Sequence, residues 1–233
     1  MTQHPGRKRV TAEELMHELS ADPEWFAGAK WRERQAEARS RELAALEAPV
    51  VAELRRLGFK VDLISDLHNS RLNYQAAIPL LMSWLPRVAD RRVKEEIIRA
   101  LSVRWAKPQA APLLLEEFRN VEDDPQGPLR WAIGNALEVV ADESFADDLI
   151  DLVRDATYGR SRQMIVLALG RMKARRPVQV LIDLLGDEDV AAHAVIALGK
   201  LGAPEAKPAL ERMLTHRDGL VRKEAKKALG RIS

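Results

Sequence analysis

Apolar residues recur along most of the chain at the three- and four-residue spacing that is typical of helices packed on one face. The clearest examples are two segments, VLIDLLGDEDVAAHAVIALGKLG at 180–202 and ALERMLTHRDGLVRKEAKKALGRI at 209–232. Each segment is predicted to form an apolar helix, then a polar turn that contains acidic residues, and then a second helix that has Ala-Leu-Gly near its end. Because the two segments repeat each other, the pattern predicts a helical hairpin that recurs along the chain.

An Ala-Leu pair near the end of each second helix aligns the copies, and it recurs every 29 to 36 residues. No segment shows the period-two alternation of a β-strand, so we predict an all-α fold in which hairpins stack into a solenoid. The Ala of each pair, here called the anchor, is Ala100, Ala136, Ala168, Ala197 and Ala228. The corresponding repeats are predicted at about 74–103, 108–140, 144–172, 177–202 and 204–232.

The last copy shows the motif most fully, with Asp218 in the loop, Val221 and Arg222 opening the second helix, and Ala-Leu-Gly following. This order resembles the HEAT repeat, more closely its short bacterial form, which also occurs in phycobilin lyase subunits. The resemblance covers roughly residues 74–232 and implies an α-solenoid. In the fourth copy Ala191 takes the place of the usual Arg, so we expect the Asp-to-Arg ladder between neighbouring repeats to be interrupted there.

The segment before the repeats is predicted to be an atypical helical cap. Its long helix, at 24–46, is charged nearly all round, which is typical of an exposed helix or of one docked on a partner. Pro49 predicts a kink or a break at Ala48. The predicted division of the chain is a disordered tail at 1–10, N-terminal helices at 11–57 and the repeat solenoid at 58–233.

Composition narrows the classes of function. The chain has no cysteine, which excludes disulfides, thiol nucleophiles and Cys-ligated zinc. No apolar run approaches the roughly 18 residues of a membrane-spanning helix, and the first ten residues lack the apolar core of a secretory signal. We therefore expect a cytoplasmic protein with no membrane partner. The net charge of +2 does not require a nucleic-acid partner.

The side of the second helices that faces away from the core supplies the candidate binding residues. Positions five and one before the anchor and two after it lie on that side when each helix is projected at about 100° per residue. The resemblance implies that second helices line a concave groove. Its middle is apolar with one tryptophan, and we predict partner binding there, although Trp131, Leu167 and Ile196 also suit sideways packing between helices. The candidate groove residues are Trp131, Asn135, Gln163, Leu167 and Ile196, and the same projection includes Gly170, Gly199 and Gly230.

Charge is concentrated in the last repeat, where residues 200–233 carry nine basic and four acidic side chains. Lys223, Lys226 and Lys227 are the candidate contacts for an anion or a nucleic acid, and a solvated end cap is the other interpretation. Asp62, Asp66 and His68 suit either a metal site or the capping of a short helix. We expect no catalytic residue, no cofactor and no metal.

Three functions remain open on these observations. The first is a non-enzymatic scaffold that binds a protein or peptide in its groove. The second is a nucleic-acid-binding protein that uses the basic C-terminal repeat, with binding that weakens steeply with salt. The third, a lyase-like or glycosylase-like HEAT enzyme, is supported only by the family resemblance, and a fold does not determine a function.

Overall fold

The structure, a computed structural model, describes residues 11–13, 16, 23–70, 72–122, 128–172 and 176–232. These residues form twelve α-helices joined by turns and short 3-10 helices, and they include no β-strand. The chain divides into two units, Met1–Leu46 and Glu47–Ser233. The all-α prediction is confirmed, whereas the expected disordered tail at 1–10 lies outside the described residues.

We number the helices in chain order, beginning with α1 (Pro23–Arg56) and the short α2 (Ser65–Asn69). The first helices of the five hairpins are α3 (Ile78–Trp84), α5 (Ala111–Asn120), α7 (Ala146–Arg154), α9 (Val178–Asp183) and α11 (Lys207–Arg212). The second helices are α4 (Arg91–Leu101), α6 (Pro128–Val140), α8 (Gln163–Leu169), α10 (Ala191–Leu201) and α12 (Gly219–Leu229). Over the described residues, no helix combines the length and the apolarity that crossing a membrane requires.

The long helix α1 continues through Pro49, so of the two predicted alternatives, a kink or a break at Ala48, the break is wrong. Proline removes only one main-chain hydrogen bond of the helix, and the residues around it supply packing that offsets this loss. Val50, Val51 and Leu54 on the C-terminal side of Pro49 are all buried in the core of the second unit. In the first unit, by contrast, every side chain of α1 from residue 30 to residue 42 is exposed.

The second helices hold the solenoid together. Each packs against the first helix of its own hairpin and against the second helix of each neighbouring hairpin. All five anchor alanines are buried, as are all five residues three positions before them, from Ile97 in α4 to Ala225 in α12. The anchors and the residues three positions before them therefore form the core row of the second helices, and the continuous layer of second helices is the frame on which the candidate site lies.

Glycines set how closely neighbouring second helices approach. A Cβ added to Gly170 would lie 2.5 Å from the Cα of Ala197, the anchor of the next repeat. One added to Gly199 would lie 2.8 Å from the Cβ of Ala228, the following anchor. Both glycines are buried, so their assignment to the groove surface is wrong. A helical projection gives the angle of each residue but not where a neighbouring helix will be seated.

The loops between paired helices carry caps and one buried arginine. Asp90 and Asp218 accept hydrogen bonds from main-chain N–H groups at the starts of α4 and α12. Arg162, with only 1% of its side chain exposed, donates to the Val153 carbonyl and pairs with Asp187 of the next repeat at 2.8 Å.

The next repeat lacks the arginine that would form a pair like that of Arg162 with Asp187. The corresponding residue there, Ala191, is buried and carries no charge that could extend the ladder. The expected interruption at this position is therefore present.

Candidate interaction face

The candidate site lies on the side of the second helices that the core does not use. Two rows of positions, five residues and one residue before each anchor, lie about 40° apart around a helix. None of these ten side chains is buried, although every anchor is. Since each second helix packs on the next, we group the ten as one surface, the second-helix face. Its members are Glu95, Arg99, Trp131, Asn135, Gln163, Leu167, Ala192, Ile196, Lys223 and Lys227.

Trp131 is the largest apolar side chain on this face and remains 46% exposed. Its indole N–H finds no hydrogen-bond partner within the described part of the chain. Trp84, in contrast, is half-buried and donates its indole N–H to Glu53 at 3.2 Å. One turn after Trp131 on the same helix, Asn135 is half-buried, and its side-chain amide makes no hydrogen bond to any described residue. An aromatic surface and an unused amide therefore lie side by side on α6.

The next two repeats contribute aliphatic side chains. Leu167 on α8 and Ile196 on α10 are both half-buried, and Ala192 lies one turn before Ile196. Gln163 differs, because its Nε2 donates to the main-chain oxygen of Asp189 at 2.8 Å. This bond ties Gln163 to the loop of the next repeat, so its first role is to join two repeats.

Charged residues mark both ends of the face. Arg99 pairs with Glu95 at 2.6 Å, and this hydrogen bond raises the pKa of the Arg99 guanidinium. Lys227 pairs with Glu224 at 2.7 Å, and both of these pairs are on the surface, where ion pairs are weak. Lys223 is exposed and forms no ion pair with a described residue.

The three candidate lysines of α12, Lys223, Lys226 and Lys227, do not share one face. Lys226 is two residues before its anchor, and the residues at that position in the other repeats are all buried: Ile98, Gly134, Val166 and Val195. A Cβ on Gly134 would lie 2.9 Å from the Ser161 carbonyl oxygen of the following repeat, which shows that this position points along the stack. Lys226 therefore belongs to the end surface of the solenoid, where a polar cap is typical of terminal repeats.

The side chains of the possible metal cluster, Asp62, Asp66 and His68, have other partners within the protein. The Asp66 carboxylate accepts hydrogen bonds from the N–H groups of Asp62 and Leu63, at 2.7 and 2.9 Å, and so caps a turn. Asp62 pairs with Arg55, and the Nε2 of His68 lies 3.2 Å from Glu96. In the described residues, no group of three or more metal-ligating side chains comes together.

A buried carboxyl group near these residues escaped the sequence analysis. Glu47 of α1 is fully buried, and its Oε2 accepts a hydrogen bond from the N–H of Ile64 at 2.8 Å, while Oε1 has no hydrogen-bond partner among the described residues. Burial raises the pKa of Glu47, and the bond from Ile64 partly opposes this effect. The predicted break at Ala48 placed Glu47 at the end of an exposed helix, so its burial was not predicted.

A cavity beside the first repeat was also not predicted. It has a volume of about 580 Å³ and is lined in part by Arg99, Leu72 and Trp105. Tyr74 also lines it, with its ring centroid 5.3 Å from that of Trp105 in an edge-to-face arrangement and its hydroxyl donating to the Ala100 carbonyl. Burial raises the pKa of Tyr74 to about 12. Apart from Arg99 on α4 and from His68 and Asn69 at the end of α2, the lining residues come from segments between the α-helices, whose positions helical periodicity does not give.

Comparison with known proteins agrees with the repeat architecture. Residues 178–233 match a family model described as HEAT repeats. A search of curated proteins found no match to the chain. The matched region contains α9 to α12, the two hairpins whose second helices meet through Gly199 and Ala228. The chain is therefore an all-α protein whose last two hairpins match the HEAT-repeat model, and its preceding hairpins stack in the same way.

Proposed function

We propose that the protein is a non-enzymatic scaffold that binds a protein or peptide segment on its second-helix face, around Trp131, Leu167 and Ile196. The observation that carries the proposal is Trp131, which leaves 46% of its surface in contact with solvent on the face opposite the core. Leaving a large aromatic side chain in water forgoes the free energy of its burial. A partner that covers it recovers this free energy.

The residues beside Trp131 support the same function. Leu167 and Ile196 extend the apolar surface across the next two repeats, and each keeps part of its side chain exposed. Contiguous exposed apolar surface is typical of interaction sites, and tryptophan is enriched among the residues that dominate binding energy. HEAT repeats commonly serve in protein–protein interaction, which fits this surface.

The proposal is tested by selecting a library of random 14-residue peptides, displayed on phage, against the folded protein. We expect peptides that bind the wild type and lose at least tenfold in affinity for Trp131→Ala combined with Leu167→Ser. The control is Trp31→Ala, which removes an exposed tryptophan, 63% accessible, from the first unit. Circular dichroism establishes that each variant is folded.

Two results would refute the proposal. One is a failure to enrich any peptide on the wild type. The other is a set of peptides that bind the folded Trp131→Ala and Leu167→Ser double variant as well as they bind the wild type, or that depend on Trp31 instead. In the second case the binding surface would lie elsewhere on the chain.

A further inference from the structure

The order of side chains across the repeats indicates the chemistry of the partner that would fit this surface. Along the row one residue before each anchor, the five repeats present Arg99, Asn135, Leu167, Ile196 and Lys227. Cations stand at both ends, Arg99 paired with Glu95 and Lys227 paired with Glu224, and two aliphatic side chains stand in adjacent repeats between them. Such a row is complementary to a segment with apolar residues in its middle and negative charges on both sides.

The repeat at the C-terminal end of the face has more basic than acidic side chains. Residues 200–233 hold nine basic and four acidic side chains. Two of the acidic groups are already engaged, since Glu224 pairs with Lys227 and Asp218 caps α12. Lys223 on the face has no ion pair with any described residue, whereas Arg217, in the loop before α12, pairs with Glu188 of the preceding repeat. An approaching carboxylate would therefore meet an attractive field that the protein does not cancel.

We propose that the second-helix face takes an acidic peptide segment in an extended conformation, with two apolar residues seated against Leu167 and Ile196 and carboxylates opposite Lys223 and Lys227 at one end and Arg99 at the other. This inference rests on the proposed function and names the chemistry of its partner. The carboxylates select and orient the segment, and the apolar residues supply most of the affinity.

Helix spacing sets the pattern of such a segment. Packed helices lie about 8–10 Å apart, and a segment extended in the polyproline II conformation rises about 3.1 Å per residue, with every third side chain on the same side. Each repeat therefore corresponds to about three residues of the partner. The two apolar residues should be about three positions apart, the carboxylate at the Lys227 end about three positions beyond them, and the carboxylate at Arg99 about six positions away on the other side.

Asn135 favours the extended conformation over a bound helix. A helix satisfies most of its main-chain N–H and C=O groups internally, whereas an extended segment presents them to its binding site. The Asn135 amide has both a donor and an acceptor, neither used within the described residues, and it is adjacent to the Trp131 ring on α6. It can therefore bind a peptide group of the segment while Trp131 covers the neighbouring side chain.

A nucleic-acid strand fits the same surface less well. Strand binding requires aromatic or guanidinium planes on which successive bases stack. Between Trp131 and the lysines this face presents Leu167, Ala192 and Ile196, which offer no such plane. Lys226, the third lysine of the basic cluster, lies on the end surface and not on the face.

The experiment uses the 14-residue peptides selected on the wild-type protein and measures their binding by fluorescence anisotropy. We expect the enriched sequences to be net acidic, with acidic residues outside an apolar pair. Lys223→Glu should weaken their binding about three- to tenfold, because an exposed attraction becomes a repulsion. The matched control is Lys207→Glu, which makes the same charge change at an exposed position on the first helix of the same repeat.

The other outcomes separate the two proposals. Selected peptides that depend on Trp131 but are neutral or basic, or that bind Lys223→Glu and wild type equally, overturn the acidic partner and leave the proposed function standing. Peptides that ignore Trp131 and Leu167 overturn both. Tighter binding of a labelled 20-nucleotide oligo-dT than of any peptide, abolished by Lys226→Glu, overturns both in favour of nucleic acid.

Discussion

Gly170 is the sharpest test of packing between second helices. Gly230 occupies the same position of the motif in the last repeat, where no further second helix of the described chain packs against it. Gly170 and Gly230 both follow an Ala-Leu pair and have nearly the same backbone angles, φ −68° and ψ −8° against φ −67° and ψ −11°. A Cβ at Gly170 would lie 2.5 and 2.7 Å from the Cα and Cβ of Ala197. At Gly230 the nearest atom would be 3.6 Å away.

These distances predict opposite effects of the same substitution. Gly→Ala in a helix is worth about 0.5–1 kcal/mol in favour of folding when space is available, so Gly230→Ala should leave stability unchanged or raise it slightly. Overpacking costs about 1–3 kcal/mol, and at Gly170 the obstructing atoms are main-chain atoms and a Cβ, which cannot rotate away. We expect Gly170→Ala to be destabilising by roughly 2 kcal/mol. Gly199→Ala, whose Cβ would lie 2.8 Å from the Ala228 Cβ, should rank between them.

Urea denaturation followed by circular dichroism at 222 nm measures this series. The free energies of unfolding are compared at the transition midpoint, with unchanged slopes showing that the same surface unfolds. If Gly170→Ala and Gly230→Ala agree within about 0.5 kcal/mol, the close contact between α8 and α10 does not exist as described.

Two further substitutions test buried polar groups. Glu47→Gln keeps an acceptor for the Ile64 N–H but removes a charge. Because burial raises the pKa of Glu47 above its ordinary value of 4.5, the folded state holds this proton more tightly than the unfolded state, and the wild type loses stability as the pH rises from that value through the raised pKa. The Gln variant should therefore gain on the wild type as pH rises in denaturation curves between pH 4 and 8, and a constant difference would contradict this. Arg162→Met removes the buried donor to the Val153 and Gly159 carbonyls and the partner of Asp187, and should cost about 2–4 kcal/mol; a loss below about 0.5 kcal/mol in urea would show that these bonds contribute little.

The sequence predicted the repeats well because their signal is local and repeated. Each anchor alanine, with the apolar residue three positions before it, marks the buried side of one helix, and five copies of the pattern reinforce one another. The same periodicity identified Trp131, Leu167 and Ile196 as residues outside the core row. The helical projection was sufficient where the burial of a side chain depends on its position around its own helix.

Predictions failed where a second helix determines the environment. Gly170 and Gly199 share the angular range of the groove residues, yet a neighbouring anchor covers them. Pro49 is a helix-breaking signal by its chemistry, but packing of Val50 and Val51 overrides it. Lys226 is adjacent in sequence to Lys227 and projects along the stack instead. These outcomes depend on inter-helix distances that a single sequence does not encode locally.

The most direct test of the central claim is the indole N–H resonance of Trp131 in a ¹H–¹⁵N spectrum, assigned through its loss in Trp131→Phe, during titration with a selected peptide. We expect a saturable shift of this resonance, with the dissociation constant measured by anisotropy. The indole of Trp84, which is held by Glu53 away from the face, should remain unchanged. A peptide that binds tightly without moving the Trp131 resonance would contradict the claim that the second-helix face is the binding surface.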